Sequence, residues 1–272
     1  MKQVLQETIV FKKTAYSRFL MITDRIVFKN QDGHDISGIL RIPKEEDKHP
    51  AVILCHGFLS NKEHFLMSDL ANGLSYYGFV TLRFDFTFHG ESGGHAGTLT
   101  LTQQVKDIRD AIDYLQKLPQ VDTRKMILLG QDLGGVACLL TDKKEIDGIV
   151  LVNVRTDLKA FLHSFITDYD LEEWLRTGWL DLKGVKLHKD FYKDLLKYDV
   201  KDAIKDEKVP ILVVQSTNDK RVPVNDARGL LLIAKNAKIE EFEGADHNFD
   251  DPGHREQLVR VLVDWIQGIL GT

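Results

Sequence analysis

Residues 125–139 are KMILLGQDLGGVACL. An apolar run with strand character, residues 126–129, is followed by Gly-Gln-Asp at 130–132, two glycines at 134–135 and an apolar segment of helical character. This order predicts a strand, a sharp turn and a helix, with glycine where a side chain would collide with the neighbouring element. The apex of such a turn is pushed out of the sheet in a strained conformation, and the apex here is Asp132.

The remaining sequence alternates between strand-like and helix-like segments. Residues 19–42 alternate with period two around Asn30-Gln31-Asp32-Gly33, which predicts an antiparallel hairpin. Further strands are expected at 51–55, 79–84, 148–152, 210–215 and 238–242, and helices at 64–77, 102–118, 226–234 and 256–270. This alternation predicts an α/β fold, a mostly parallel eight-stranded sheet with helices on both faces.

The alternation is interrupted between about residues 155 and 206. This stretch is charged, and the spacing of its apolar residues suits short helices better than strands. Its aromatic residues are Phe161, Phe165, Tyr169, Trp174, Trp179, Phe191, Tyr192 and Tyr198. We predict one domain, residues 1–272, in which this insertion forms a helical lid over one edge of the sheet. A peripheral helical excursion is the alternative.

Composition narrows the class of protein. The chain has 272 residues, 43% of them hydrophobic, and a net charge of -5. That charge, without a basic cluster, argues against a nucleic-acid partner. Residues 1–13 lack the apolar stretch of a signal peptide, and no apolar run approaches the roughly 20 residues that span a bilayer. Cys55 and Cys138 lie in apolar runs, which predicts free buried thiols and a cytoplasmic protein.

Several predicted strands end in residues that can do chemistry. In open α/β sheets, ligands bind outside the carboxyl ends of the strands, where Asp132, Asp219 and His247 would meet. Asp219 would accept a hydrogen bond from the imidazole and fix its tautomer, although Asp246 is a rival acid. The backbone N–H groups of Phe58 and Leu133 are the natural oxyanion hole.

Six segments together resemble the cinnamoyl and feruloyl esterase-like group of the α/β-hydrolase superfamily. They are HGF (56–58), RFDFTFHGESGG (83–94), GQDLGG (130–135), EEWLRTGW (172–179), PILVVQSTNDKRVPV (210–224) and EGADHNF (243–249). The resemblance covers about Ile22 to Ile269 and implies the α/β-hydrolase fold with an inserted helical lid. It also implies hydrolysis of small-molecule esters, with His247 and Asp219 as the histidine and acid.

Asp132 departs from this resemblance, which implies a serine at its position. A carboxylate that attacks an ester carbonyl forms a mixed anhydride and must expel a far more basic alkoxide, so collapse to reactants is expected. An aspartate is productive when it displaces a leaving group from saturated carbon, as in haloalkane dehalogenases and epoxide hydrolases. Dehalogenases usually have tryptophan where Leu133 stands, and epoxide hydrolases use lid tyrosines, for which Tyr169, Tyr192 and Tyr198 are available.

Three hypotheses therefore remain. The first is a carboxylesterase-type hydrolase with lost or altered activity, the second a hydrolase with Asp132 as nucleophile, and the third a non-catalytic protein that binds a small molecule. Ionised Asp132 beside His247 would form an ion pair and keep the imidazole charged. No spacing typical of a metal site or phosphate loop occurs, so no cofactor is expected. The aromatic lid suggests a substrate with an apolar or aromatic part, and a homodimer is among the assemblies left open.

Overall fold

The computed structural model describes residues 21–45, 47–205 and 207–271. The N-terminal segment considered above, including the first two residues of the predicted hairpin, lies outside the described residues, as do residues 46, 206 and 272. Within the described ranges, no helix is long and apolar enough to cross a membrane. Cys55 and Cys138 are buried and not bonded to each other.

Ten strands and nine α-helices make up the described part. The strands are β1 (Met21–Lys29), β2 (Asp35–Pro43), β3 (His49–Cys55), β4 (Val80–Phe84), β5 (Val121–Gln131), β6 (Gly148–Val152), β7 (Trp179–Leu182), β8 (Val185–His188), β9 (Ile211–Ser216) and β10 (Ala237–Phe242). The helices are α1 (Phe65–Tyr76), α2 (Leu101–Leu115), α3 (Asp132–Leu140), α4 (Leu158–His163), α5 (Asp168–Thr177), α6 (Asp190–Leu195), α7 (Val200–Lys205), α8 (Val224–Leu231) and α9 (Pro252–Leu270).

Eight of these strands form one sheet in the order β1-β2-β4-β3-β5-β6-β9-β10. The pairs β1–β2 and β2–β4 are antiparallel and the others are parallel. The mostly parallel eight-stranded sheet is thus confirmed. The β1–β2 hairpin turns where predicted, because the Asn30 side chain accepts the N–H groups of Asp32 and His34.

Both faces of the sheet are covered by helices, as predicted. Along β3, Ala51, Ile53 and Cys55 belong to one apolar cluster, whereas Val52 and Leu54 belong to the other. Helices α2 and α3 contribute to the first cluster, and α1 and α9 to the second. A strand with apolar partners on both faces needs a continuous apolar sequence, which explains the runs seen in β3, β5 and β6.

The segment between β6 and β9 contains α4, α5, the antiparallel pair β7–β8, α6 and α7. The prediction of short helices is right for four of these elements but misses the β7–β8 hairpin. Its strands have four residues each, and alternation over so short a run cannot be told from a helical turn. The two turn residues, Lys183 and Gly184, both have positive φ, as a two-residue hairpin of type I′ requires.

Candidate active site

The strand, turn and helix around Asp132 have the predicted form. Strand β5 ends at Gln131 and α3 begins at Asp132, whose φ is +52°. A side chain at Gly130 would bring its Cβ to 2.5 Å from the backbone oxygen of Gly134, and one at Gly134 would overlap the backbone oxygen of His56. The two glycines therefore let the helix begin directly at the end of the strand, with Asp132 held in a strained left-handed conformation.

The Asp132 carboxylate is buried and faces the donors expected for an oxyanion. Its side chain is only 6% exposed, and Oδ2 accepts the backbone N–H of Phe58 at 3.2 Å. Burial raises the pKa of Asp132 above its usual range, while the charge of His247 and hydrogen bonds from the N–H groups of Phe58 and Leu133 lower it. One carboxylate oxygen thus lies where the carbonyl oxygen of a bound ester would have to be.

His247 and Asp219 form the expected pair. The imidazole Nδ1 lies 2.8 Å from Asp219 Oδ2, while Asp219 Oδ1 accepts the N–H groups of Arg221 and Val222. The rival acid, Asp246, instead accepts backbone N–H groups of its own loop. The structure therefore brings Asp219, and not Asp246, to the ring.

Asp132 and His247 do not form the expected ion pair. Between these two described residues no ring nitrogen comes within the 4.0 Å of an ion pair with the carboxylate, although both side chains line the same cavity. The charge of His247 still lowers the pKa of Asp132, so the two groups are near each other. The physical reason for the difference is that Asp132 turns its carboxylate toward the N–H of Phe58.

Two amides position the histidine loop, and the sequence analysis missed both. Gln131 Nε2 and Asn153 Nδ2 each donate to the backbone oxygen of His247, at 3.0 and 2.9 Å. Asn153 follows β6 directly and has a φ of +50°, and its Oδ1 accepts the N–H of Ser216 at the end of β9. A polar residue directly after a buried strand was the available signal. These contacts join the ends of β5, β6 and β9 to His247.

Buried ion pairs hold the loop that carries Phe58. Lys62, in this loop, is 1% exposed, and its Nζ lies 2.6 Å from Asp85 Oδ2 and 2.7 Å from Glu91 Oε2. His56, at the start of the loop, accepts the N–H of Phe86 through Nε2. Burial lowers the pKa of His56, so this histidine is neutral and structural. The loop is therefore fixed on both sides of Phe58.

A cavity of about 270 Å³ opens beside Asp132. It is lined by Gly57, Phe58, Leu59, Ser60, Asn61, His64, Gln131, Asp132, Phe165, Lys183, Arg221, His247 and Asn248. His64 was not singled out by the sequence analysis, since nothing in its spacing marks it. Its Nδ1 is buried without a hydrogen-bond partner in the described chain, and burial lowers the pKa of the ring.

The aromatic residues of the insertion contribute little to this cavity. Of the eight, only Phe165 is among its lining residues. Phe161 and Phe191 are buried against the ring of Phe58, and Trp174 stacks on Phe191. None of the insertion's tyrosines is among the lining residues that the structure describes. Across the described residues, no group of three or more His, Cys, Asp or Glu side chains could hold a metal ion.

Curated relatives match parts of this chain. An uncharacterised 31.7 kDa protein of Escherichia coli, from the traX-finO intergenic region, is 35% identical over 124 residues, which are 41% of this chain and 43% of that protein. Esterase EstD of Thermotoga maritima is 25% identical over 240 residues, 78% of this chain and 57% of EstD. The chain thus matches less than two thirds of the length of either protein.

Solved structures and a family model complete the comparison. The structure of Est1E from Butyrivibrio proteoclasticus with bound ferulic acid has a TM-score of 0.81 and 23% identity, over 91% of this chain and all of that chain. This similarity concerns the fold. The sequence model of the Alpha/beta hydrolase family matches residues 52–261, a range that includes Phe58, Asp132, Asp219 and His247. This chain belongs to the alpha/beta hydrolase family.

Proposed function

We propose that this chain is a hydrolase that retains the apparatus of a carboxylesterase but applies it to an ester formed on its own Asp132. The observation that carries the proposal is the hydrogen bond from the Phe58 N–H to Asp132 Oδ2. If Asp132 is alkylated on its other oxygen, the carbonyl oxygen of the new ester already lies against the oxyanion donors. His247, supported by Asp219, can then serve the hydrolysis of that ester.

The first step is displacement at saturated carbon. The free oxygen of Asp132 forms a bond to the substrate carbon, and the leaving group departs with the electron pair of the bond that breaks. No described tyrosine lines the cavity to protonate an epoxide oxygen. A leaving group that is stable as an anion, such as halide, therefore suits this site better than an epoxide.

The second step hydrolyses the aspartyl ester. Water attacks the Asp132 carbonyl carbon while the unpaired nitrogen of His247 takes its proton, and the N–H groups of Phe58 and Leu133 stabilise the oxyanion. Collapse releases the alcohol, which receives the proton from His247. The regenerated Asp132 carboxyl group carries one oxygen from water and releases the second proton of that water to solvent as it ionises. We propose that this water lies between His247 and Asp132, which form no ion pair with each other.

Direct hydrolysis of an external ester is disfavoured by the same geometry. The Asp132 carboxylate competes with a substrate carbonyl for the Phe58 N–H, and attack on that carbonyl would produce a mixed anhydride. We therefore propose low turnover of ordinary carboxylic esters. The similarity to esterases such as EstD supports the retained oxyanion hole and histidine rather than the substrate.

We further propose that residues 155–206 act as a lid within a single domain. Phe165 and Lys183 line the cavity, and Asp194 of α6 accepts the N–H and hydroxyl of Thr102 at the start of α2. These contacts support a segment anchored beside the site. At about 270 Å³ the cavity is at the small end for ligand sites, and few of its lining residues are apolar, so a small substrate with a short apolar part is expected.

A single turnover in water enriched in oxygen-18 tests this function. Short primary alkyl halides and terminal epoxides are each mixed with excess enzyme, and the peptide that contains Asp132 is then analysed by mass spectrometry. We expect one oxygen-18 atom in its carboxylate with a halide. His247→Gln should instead accumulate the alkylated peptide, because the second step loses its base. An unlabelled carboxylate with every substrate would rule out an aspartyl ester.

A further inference from the structure

Arg221 is exceptional among the arginines in the described part of the chain. All the others donate at least one side-chain hydrogen bond to an oxygen of the chain, but the guanidinium of Arg221 has no such partner. It is exposed and lines the cavity beside Asp132. A fork of five donors without a protein acceptor, at the mouth of a ligand cavity, is available to a ligand.

Lys183 supplies a second cation from the insertion. It is the first residue of the β7–β8 turn, with a φ of +54°, at a position where asparagine or glycine is usual. Its Nζ lies 5.9 Å from the ring centroid of Phe165, which also lines the cavity, and it has no ion-pair partner among the described residues. Lysine is thus presented to the cavity from a turn that does not favour it.

The acidic residues near the cavity form no ion pair with Lys183 or Arg221 among the described residues. Asp132 is the only acid among the described residues that line the cavity. Asp219 lies close to Arg221 in sequence, but its oxygens already accept from His247 and from the backbone N–H groups of Arg221 and Val222. Two cations and one carboxylate line a cavity in a chain of net charge -5. The electrostatic balance at the cavity is therefore opposite to that of the chain as a whole.

We propose that this cavity binds substrates that carry a carboxylate, held between Lys183 and Arg221 while the reacting carbon faces Asp132. The assignment of a reacting carbon rests on the proposed function, whereas the carboxylate site itself does not. Arginine matches the planar carboxylate with two parallel hydrogen bonds, and lysine adds a point charge from the other segment. With a cavity of about 270 Å³, the substrate class is short-chain carboxylic acids that bear a leaving group on saturated carbon.

Binding of butyrate, measured by ligand-observed NMR titration, tests the site without any turnover. Butyramide is the neutral analogue of the same shape, and inorganic phosphate is the alternative anion. We expect butyrate to bind about tenfold more tightly than butyramide, and Arg221→Gln and Lys183→Gln each to remove most of that preference. Lys220→Gln and Lys186→Gln are matched controls, since both lysines are exposed and neither is among the lining residues.

Three results would overturn the proposal. Butyrate and butyramide could bind equally, or butyrate could fail to bind at a concentration on the order of 50 mM, where even a weak site would be occupied. The third result is an unchanged preference for butyrate over butyramide in both variants. Phosphate binding that exceeds butyrate binding would also overturn it, in favour of a phosphate site. The outcome is separable from the proposed function. Carboxylate binding without oxygen-18 in Asp132 would retain the site and reject the aspartyl ester. Oxygen-18 labelling of Asp132 with neutral halides, but no butyrate binding, would retain the aspartyl ester and reject the carboxylate site.

Discussion

Two buried aspartates, each directly after a strand of the sheet, differ in what surrounds them. Asp85 follows β4, is fully buried, and accepts the N–H and Nζ of Lys62 and the N–H of Glu91. Asp132 follows β5, is nearly as buried, but touches no cation and is stabilised by backbone N–H groups. A buried carboxylate without a contacting cation is unfavourable for folding. The contrast is the one expected between a carboxylate that stabilises the fold and one that, in the proposed function, takes part in the reaction.

The backbone at the two residues differs as well. Asp132 is among the non-glycine residues with positive φ, and Asp85 is not. Asp132 therefore combines backbone strain with a poorly compensated charge, whereas Asp85 has neither. Strain of this kind persists where the surrounding structure enforces it, and here Gly130 and Gly134 permit the tight turn that does so. Three experiments test this contrast.

The largest effect is expected from Asp132→Ser. Serine restores the nucleophile of the esterase-like group and frees the Phe58 N–H for a substrate carbonyl. Hydrolysis of p-nitrophenyl acetate should rise from near background by on the order of 10²–10³-fold, the contribution of a positioned general base. Asp132→Ala, which has no nucleophile, should remain near background.

Rapid ester hydrolysis with Asp132 in place would contradict the proposed chemistry. Tight ligand binding without turnover in the original chain and in Asp132→Ser alike would favour the hypothesis of a non-catalytic binding protein. In that case the two aspartates would differ in surroundings but not in role.

The second largest effect is expected from Lys62→Met, and it concerns stability rather than activity. It leaves Asp85 buried without its cation, which lowers the free energy of unfolding by about 3–5 kcal/mol. Urea denaturation followed by circular dichroism measures this. Asp32→Asn is the control, because it breaks the exposed Lys106–Asp32 pair and should change the free energy of unfolding by less than about 1 kcal/mol. Equal effects of the two substitutions would show that Asp85 does not depend on its cation.

The smallest effect is expected from Asp132→Asn. Burial raises the pKa of Asp132, so the folded chain binds this proton up to a higher pH than the unfolded chain does. Stability therefore falls as pH rises from the unfolded to the folded pKa, and the deficit persists at neutral pH. Asparagine carries no such charge and tolerates positive φ.

The melting temperature of Asp132→Asn should thus exceed that of the original chain by a few degrees at neutral pH. The difference should shrink as pH falls and vanish below about pH 3, where the aspartate is protonated in both states. Thermal melts across this pH range provide the measurement. A variant that is less stable at neutral pH would mean that the charge of Asp132 is well compensated, as that of Asp85 is.

Sequence reasoning was reliable where a residue's role depends on its neighbours in the chain. The turn at Asp132 follows from glycines two residues on either side, and the eight strands follow from period-two alternation in the hairpin and from short strand-like runs elsewhere. Asp219 rather than Asp246 contacts His247, because the Asp246 side chain folds back on its own loop.

The missed features depend on contacts between distant segments. The β7–β8 hairpin is too short for its alternation to stand out between helices. Gln131 and Asn153 act through the backbone oxygen of His247, which no side-chain pattern reveals. The expected ion pair between Asp132 and His247 failed because the carboxylate turns toward Phe58, and a rotamer choice of this kind is not encoded in residue order.

Of the described residues in the segment between β6 and β9, only Phe165 and Lys183 line the cavity, whereas Phe161, Trp174 and Phe191 are buried and do not line it. On the proposed carboxylate site, selectivity is shared between Lys183 of the insertion and Arg221 outside it, whereas the proposed reaction uses Asp132, Asp219 and His247. We therefore expect replacement of Phe165 and Lys183 to change which molecules bind, without changing the strand-end residues that would carry out the proposed reaction. We expect that substitutions at these positions can change the substrate range while the reaction mechanism stays the same.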